Sequence, residues 1–205
     1  MAWVLFDYGG VVSQWPSEEE LESLAAVAGA PVAKFSDAYW QRRAAFDRAE
    51  LDAVRYWQQV GLILGRTADY DSADIDRLVR LDTDSWLHLE PGTVELIAEL
   101  NAAGHRLALL SNAPEVIADA ITELPVARYF DHLIFSARVG AAKPERACYE
   151  AALAILKATA EEVIFLDDRT DNLTEAAAMG MRTVRFTDSD QARGELATLL
   201  VRDLK

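Results

Sequence analysis

Residues 3–12 read Trp3-Val4-Leu5-Phe6-Asp7-Tyr8-Gly9-Gly10-Val11-Val12, an apolar strand that runs into a carboxylate and then into two glycines. A buried strand that ends on an ionisable residue holds that residue rigidly at one edge of a sheet. The glycines let the chain leave by conformations closed to residues with a Cβ, and they let a ligand approach the backbone. An unpaired carboxylate at such a place is costly, so Asp7 is expected to meet a metal or a cationic partner.

Further along, apolar runs alternate with helical periodicity. Residues 106–110, 132–135, 162–166 and 183–186 read as strands, and 92–103, 113–122, 144–158 and 171–179 as helices. Strand and helix in repeated alternation predict an α/β fold, a doubly wound parallel sheet with helices on both faces. Residues 17–88 differ: they carry helical patterns at 17–28, 31–46, 51–64 and 74–87 and no strand. Trp15, Trp40, Trp57 and Trp86, four of the five tryptophans, fall in or beside this block. The pattern predicts a helical insert, 16–88, placed after the first strand, with a core made of 1–15 and 89–205. An insert there overhangs the carboxyl edge of the sheet, where open α/β folds bind ligands. The tryptophans are expected to fill the core of the insert.

Composition narrows the partners. The 205-residue chain carries a net charge of −14, which argues against a nucleic-acid partner, since phosphate backbones demand clustered Lys and Arg. An anionic substrate would need local positive groups. No apolar run approaches the ~20 residues of a membrane span, and residues 2–6 are too short for a signal peptide. The single cysteine, Cys148, excludes an internal disulfide and reads as a packed thiol in a reducing compartment. The expectation is a cytoplasmic protein with no membrane partner.

Three more sites follow strands at the same edge. Ser111-Asn112 precedes a helix, and either caps it or forms an anion site of hydroxyl, backbone N–H and helix dipole. Lys143 stands just before Pro144, which suits the first turn of a helix, and can project its ammonium towards the strand ends. Asp167 and Asp168 end another strand. Adjacent carboxylates repel unless a cation or donors compensate them, and Mg²⁺, held by few carboxylates and several waters, suits the pair. One of the two can instead cap the following helix.

Asp7, Ser111, Lys143 and the Asp167–Asp168 pair, in that order at successive strand ends, resemble the four motifs of the haloacid dehalogenase superfamily. The resemblance spans the whole chain and implies a Rossmann-like core with a first-type helical cap. Arg42-Arg43-Ala44-Ala45-Phe46-Asp47-Arg48, with Tyr56-Trp57, looks like the cap of a sugar-phosphate phosphatase-like branch. By this resemblance Asp7 is the nucleophile that accepts a phosphoryl group. Mg²⁺ is held by Asp7, the carbonyl of Gly9 and Asp168, while Asp167 orients its waters. Ser111, helped by the Asn112 backbone, holds a phosphoryl oxygen and Lys143 neutralises charge. Asp171 and Asn172 support the loop. Arg42, Arg43 and Arg48 can grip a polar tail of the substrate, or serve as ion-pair partners of Asp47, Glu50 and Asp52.

One position departs from the pattern. Most phosphatases of this superfamily carry a second Asp, a general acid and base, two residues after the nucleophile, and here that residue is Gly9. A branch with Gly there is nevertheless described as phosphatases. General acid–base catalysis contributes ~10²–10⁴-fold, against up to ~10²¹-fold available for monoester hydrolysis. His88, Glu18 or a cap carboxylate can be considered as substitutes. The expected activity is Mg²⁺-dependent removal of phosphate from a small phosphorylated metabolite, a sugar phosphate being one option. The alternatives are a metal-independent 2-haloacid dehalogenase and a catalytically silent binding or regulatory protein. His105 and His132 flank strands away from this edge and read as structural.

Overall fold

The computed structural model describes residues 2–201. Its first strand, β1 (Trp3–Phe6), is buried on both faces, and its side chains alternate between two cores. Four helices follow: α1 (Glu18–Ala28), α2 (Val32–Asp47), α3 (Ala53–Ile63) and α4 (Ser72–Ser85). The chain then runs through α5 (Pro91–Ala102), β2 (Arg106–Ser111), α6 (Glu115–Thr122), β3 (His132–Phe135) and α7 (Ser136–Val139). It ends with α8 (Arg146–Leu156), β4 (Val163–Asp167), α9 (Thr170–Ala178), β5 (Arg182–Arg185) and α10 (Ser189–Val201).

The five strands form one parallel sheet in the order β3-β2-β1-β4-β5. Period-two alternation sends Val4, Phe6, Leu107, Leu109, Ile164 and Leu166 to one face, where α5, α6 and α10 cover them. Trp3, Leu5, Ala108, Leu110, Val163 and Phe165 face the other way, onto α8 and α9. Connections leaving β1 and β2 thus run over one face, and those leaving β3 and β4 over the opposite face. Between β1 and β4 the winding reverses, and the strand ends on either side open a crevice there. Asp7 follows β1 and Asp167 ends β4, so the two carboxylates flank that crevice.

Helices α1 to α4 carry a third cluster of their own, with Leu24, Phe35, Tyr39, Trp57, Val60 and Leu78 at its centre. Side-chain caps start three of them: Ser17 in a reciprocal box with Glu20, Asp52 onto the Arg55 amide, and Asp71 onto the Asp74 amide. These helices are fastened over the sheet edge by specific bonds. Tyr8 and Ser13 donate their hydroxyls to the Trp86 carbonyl at 2.8 and 2.9 Å, and Ser136 donates to the Asp47 carbonyl at 2.6 Å. Arg48 reaches Glu145 at 2.8 Å.

The structure shortens one expected helix and adds one that periodicity does not predict. The helix read as 144–158 begins at Arg146, with Pro144 in the turn before it. Helix α10 is the addition: Gly194 interrupts its periodicity, and its start is marked by Asp188, which accepts from the Gln191 amide at 2.8 Å.

Candidate active site

Two strand ends converge on one ammonium. Lys143 lies in the turn between α7 and α8, and its side chain is buried against Phe165. Its Nζ stands 2.6 Å from Asp7 Oδ1 and 2.9 Å from Asp167 Oδ2. The turn is held by Asn112, whose side-chain amide donates to the Lys143 carbonyl and accepts from the Lys143 amide, both at 2.8 Å. Neither Ser111 nor Asn112 caps the following helix, which starts after Pro114 with no side-chain cap. Asn112 therefore positions the lysine backbone, a use the capping alternative had obscured. Ser111 ends β2, buried, on the wall of the same cleft.

Asp167 is fully buried and saturated with donors. Besides Lys143 it accepts from Asn172 Nδ2 at 2.9 Å and from the Arg169 amide at 2.8 Å. Neither carboxylate of the pair caps α9 in the usual sense, because its N-cap residue is Arg169 and no side chain serves it. Asp171 lies outside the cluster, ion-paired with Arg169 at 2.8 Å.

Asp168 is different. Its Oδ2 accepts from Trp15 Nε1 at 3.2 Å, while its Oδ1 is buried without a hydrogen-bond partner. Asp7, Asp167 and Asp168 bring ligand oxygens within 4.8 Å of one another. Three carboxylates against one ammonium leave an excess of negative charge. Burial pushes the Asp7 carboxyl well above its usual range, with Lys143 opposing and Asp167 reinforcing the shift. Burial raises Asp168 as well, against the Trp15 hydrogen bond. Burial also works against the Lys143 ammonium, but Asp7 and Asp167 outweigh it and hold the proton more tightly. A hard divalent cation fits this donor set: it would occupy the orphaned Asp168 oxygen and offset the surplus charge.

The glycines after Asp7 serve close packing. Gly10 has φ +77°, and a Cβ on it would overlap the Asp168 carboxylate and the Trp15 indole. A Cβ on Gly9 would lie 3.0 Å from Cζ3 of Trp86.

Asp7 and Lys143 of this cluster line a cleft of about 350 Å³ between the sheet edge and the helices above it. Trp15, Trp40 and Trp86 line it, with ring centroids 5.3 to 6.5 Å apart, so of the four tryptophans expected in the insert core only Trp57 sits there. Arg43 borders the cleft but is buried: its Nε meets Asp47 at 2.8 Å, and its Nη1 meets Tyr39 and, at 3.3 Å, Asp82. Arg48 also borders it, engaged by Glu50 and Glu145, whereas Arg42 is exposed outside the lining. His88 pairs with Glu20 at 2.6 Å on the surface, and neither it nor Glu18 lines the cleft. His132 packs against Trp3 at the far end of the sheet, as a structural residue would.

An open parallel sheet with a carboxylate–lysine centre at its winding reversal defines a Rossmann-like α/β scaffold. The chain belongs to the haloacid dehalogenase-like hydrolases, whose family model matches residues 1–180. It is 25% identical over 201 residues to the sesquiterpene phosphatase astK of Aspergillus oryzae, covering 96% of this chain and 95% of that protein. Among solved structures it resembles a HAD family enzyme of Bacteroides thetaiotaomicron in complex with magnesium and inorganic phosphate. That match has a TM-score of 0.74 at 16% identity and covers 91% of this chain and 94% of the other. It also resembles the L-2-haloacid dehalogenase of Xanthobacter autotrophicus with chloropropionic acid covalently bound. Here the TM-score is 0.71 at 17% identity, with 97% and 83% of the two chains covered. The fold is therefore shared by an enzyme that holds magnesium and inorganic phosphate and by a dehalogenase that holds chloropropionic acid covalently.

Proposed function

We propose that this hydrolase removes phosphate from a small phosphorylated metabolite, with magnesium bound, and that it works through a phosphorylated Asp7. The observation that carries this reading is the surplus of buried carboxylate around Asp7, ending in the unpartnered Asp168 Oδ1. A site built to attack carbon without a metal has no use for that surplus.

In this account Asp7, Asp168 and the Gly9 carbonyl would hold the ion, with Asp167 ordering its waters. Magnesium, when bound, would supply positive charge opposite the phosphoryl oxygens. A carboxylate oxygen of Asp7 attacks phosphorus, and the P–O bond to the leaving group breaks with its electron pair on the departing oxygen. Water then attacks phosphorus, the Asp7–phosphorus bond breaks, and inorganic phosphate leaves with the Asp7 carboxylate restored. Lys143 holds Asp7 in place and lowers the cost of bringing a second anion to it. The Ser111 hydroxyl and the backbone at Asn112 grip a phosphoryl oxygen, while Arg43, engaged by Asp47 and Asp82, shapes the cleft wall. Phosphoryl transfer asks chiefly for such positioning and charge compensation. Residues 16–88 act as a cap over a core of 1–15 and 89–205. The buried, free Cys148 suits a cytoplasmic setting.

The test is phosphate release from a broad panel of phosphorylated metabolites, with magnesium and with the metal chelated. Magnesium-dependent turnover is the expected result. Release of halide from 2-haloacids in chelator, without phosphatase activity, would overturn the reading.

A further inference from the structure

The tryptophans that line the cleft have a chemical consequence. Trp15 and Trp40 are each 47% exposed although both lie inside the cleft, and Trp86 between them is 7% exposed. The three rings pack edge to face, at interplanar angles of 62°, 63° and 87°. Two of their N–H groups are engaged, Trp15 by Asp168 and Trp86 by Tyr39. The wall therefore offers apolar ring surface, continued by Ala44, Ala113 and Ile117 on the same cleft. A sugar hydroxyl would lose water there without gaining a partner, whereas a flat apolar group would stack.

The titratable groups around the cleft point the same way. Besides Asp7, its lining carboxylates are Asp47 and Glu145, held by Arg43 and Arg48 at 2.8 Å each. Its other donors are already engaged: the Tyr8 hydroxyl by the Trp86 carbonyl, Arg43 by Asp47, Arg48 by Glu145, Arg169 by Asp171, and Lys143 by Asp7 and Asp167. No histidine lines the cleft among the described residues. A leaving oxygen thus finds no ready acid and must depart as a stable anion, protonated afterwards by solvent. Alkoxides of sugars and aliphatic alcohols are poor at this; phenolates are good.

From the tryptophan wall and the missing acid together we infer that the natural substrate is the phosphate monoester of an aromatic alcohol, its ring seated against Trp15, Trp40 and Trp86. This rests on the phosphatase reading above and narrows its substrate class. In the reaction the aryl C–O bond stays intact. The P–O bond breaks, the electron pair leaves on the phenolate oxygen, and solvent supplies its proton.

The experiment compares kcat/KM of the magnesium-loaded enzyme on phenyl phosphates of graded phenol acidity, n-octyl phosphate and a hexose 6-phosphate. In parallel, calorimetry measures phenylphosphonate against methylphosphonate binding, for wild type and Trp40→Ala. The expected result is a steep rise of rate with phenol acidity and aryl esters ahead of the other two by at least about 10²-fold. Phenylphosphonate should bind roughly 10-fold tighter than methylphosphonate, an advantage lost in Trp40→Ala, with the KM for phenyl phosphate raised and kcat held. These estimates follow the worth of an aromatic contact and of a general acid. Equal or better turnover of the hexose or octyl ester would overturn the inference and leave the phosphatase reading intact. So would a rate indifferent to phenol acidity, which would show that a group of the protein protonates the leaving oxygen. No release from any ester, with no preference for phenylphosphonate, would overturn both.

Discussion

Trp86 and Gly9 define each other: Cζ3 of the indole stands 3.0 Å from where a Cβ on Gly9 would sit. The indole has little freedom to yield. It packs against Trp15 and Trp40, donates to Tyr39 at 3.3 Å, and lies under the Arg43 guanidinium at 5.6 Å. The missing second carboxylate of the motif is thus matched by an aromatic residue from the end of α4 that fills its space.

Gly9→Asp is accordingly expected to cost about 1–3 kcal/mol of stability, the usual penalty for overpacking a filled site, and to bring no gain in turnover. Combining it with Trp86→Ala should remove the overlap but open a void in the aromatic wall. Thermal melts and phosphate-release rates of the single and double variants check this. A Gly9→Asp protein that melts like wild type and turns over faster would show that the indole yields.

Lys143 neutralises two buried carboxylates at once, so its loss should be felt in both folding and activity. Lys143→Met is expected to lower phosphatase turnover by at least about 10²-fold, in line with the removal of one preorganised charge from an active site. In metal-free buffer it should also melt below wild type, because Asp7 and Asp167 would be left without their counter-ion. Unchanged turnover would remove the lysine from the account.

The acid side of the metal site gives a pH test. Asp168 is raised above its ordinary value, first by burial, so the folded protein binds its proton at pH values where the unfolded chain has released it. The metal-free protein gains stability from this at low pH and loses it as pH rises through the raised folded value. Magnesium needs the deprotonated carboxylate, so its stabilisation should grow with pH. Melting curves with and without magnesium are expected to draw together as pH is lowered from neutrality towards the acid limit of folding. A gap that stays constant down to that limit would exclude Asp168 as a titrating ligand.

Much of this was legible in the chain because the features were local. The strand ending on Asp7, the Asp167–Asp168 pair and the alternation of strands with helices all follow from short windows, and the sheet brings those strand ends together. What escaped depends on contacts distant in sequence. The amide of Asn112 meets the backbone of Lys143 across 31 positions, and a helix-capping residue type gives no sign of that use. Periodicity places Trp40 on a helix but cannot say that its face turns to the cleft rather than to the insert core. Arg43 reads as surface in α2, and only the fold reveals Asp82, on α4, beneath it. The reason for Gly9 was equally hidden, since Trp86 lies 77 residues away.

The most direct test of the central claim is phosphate release by Asp7→Asn beside wild type, with magnesium present and circular dichroism to confirm the fold. A folded protein is expected, with turnover lower by at least about 10³-fold, because the other carboxylates of the cleft, Asp47 and Glu145, are engaged by Arg43 and Arg48. Turnover within about tenfold of wild type, from a folded variant, would contradict it.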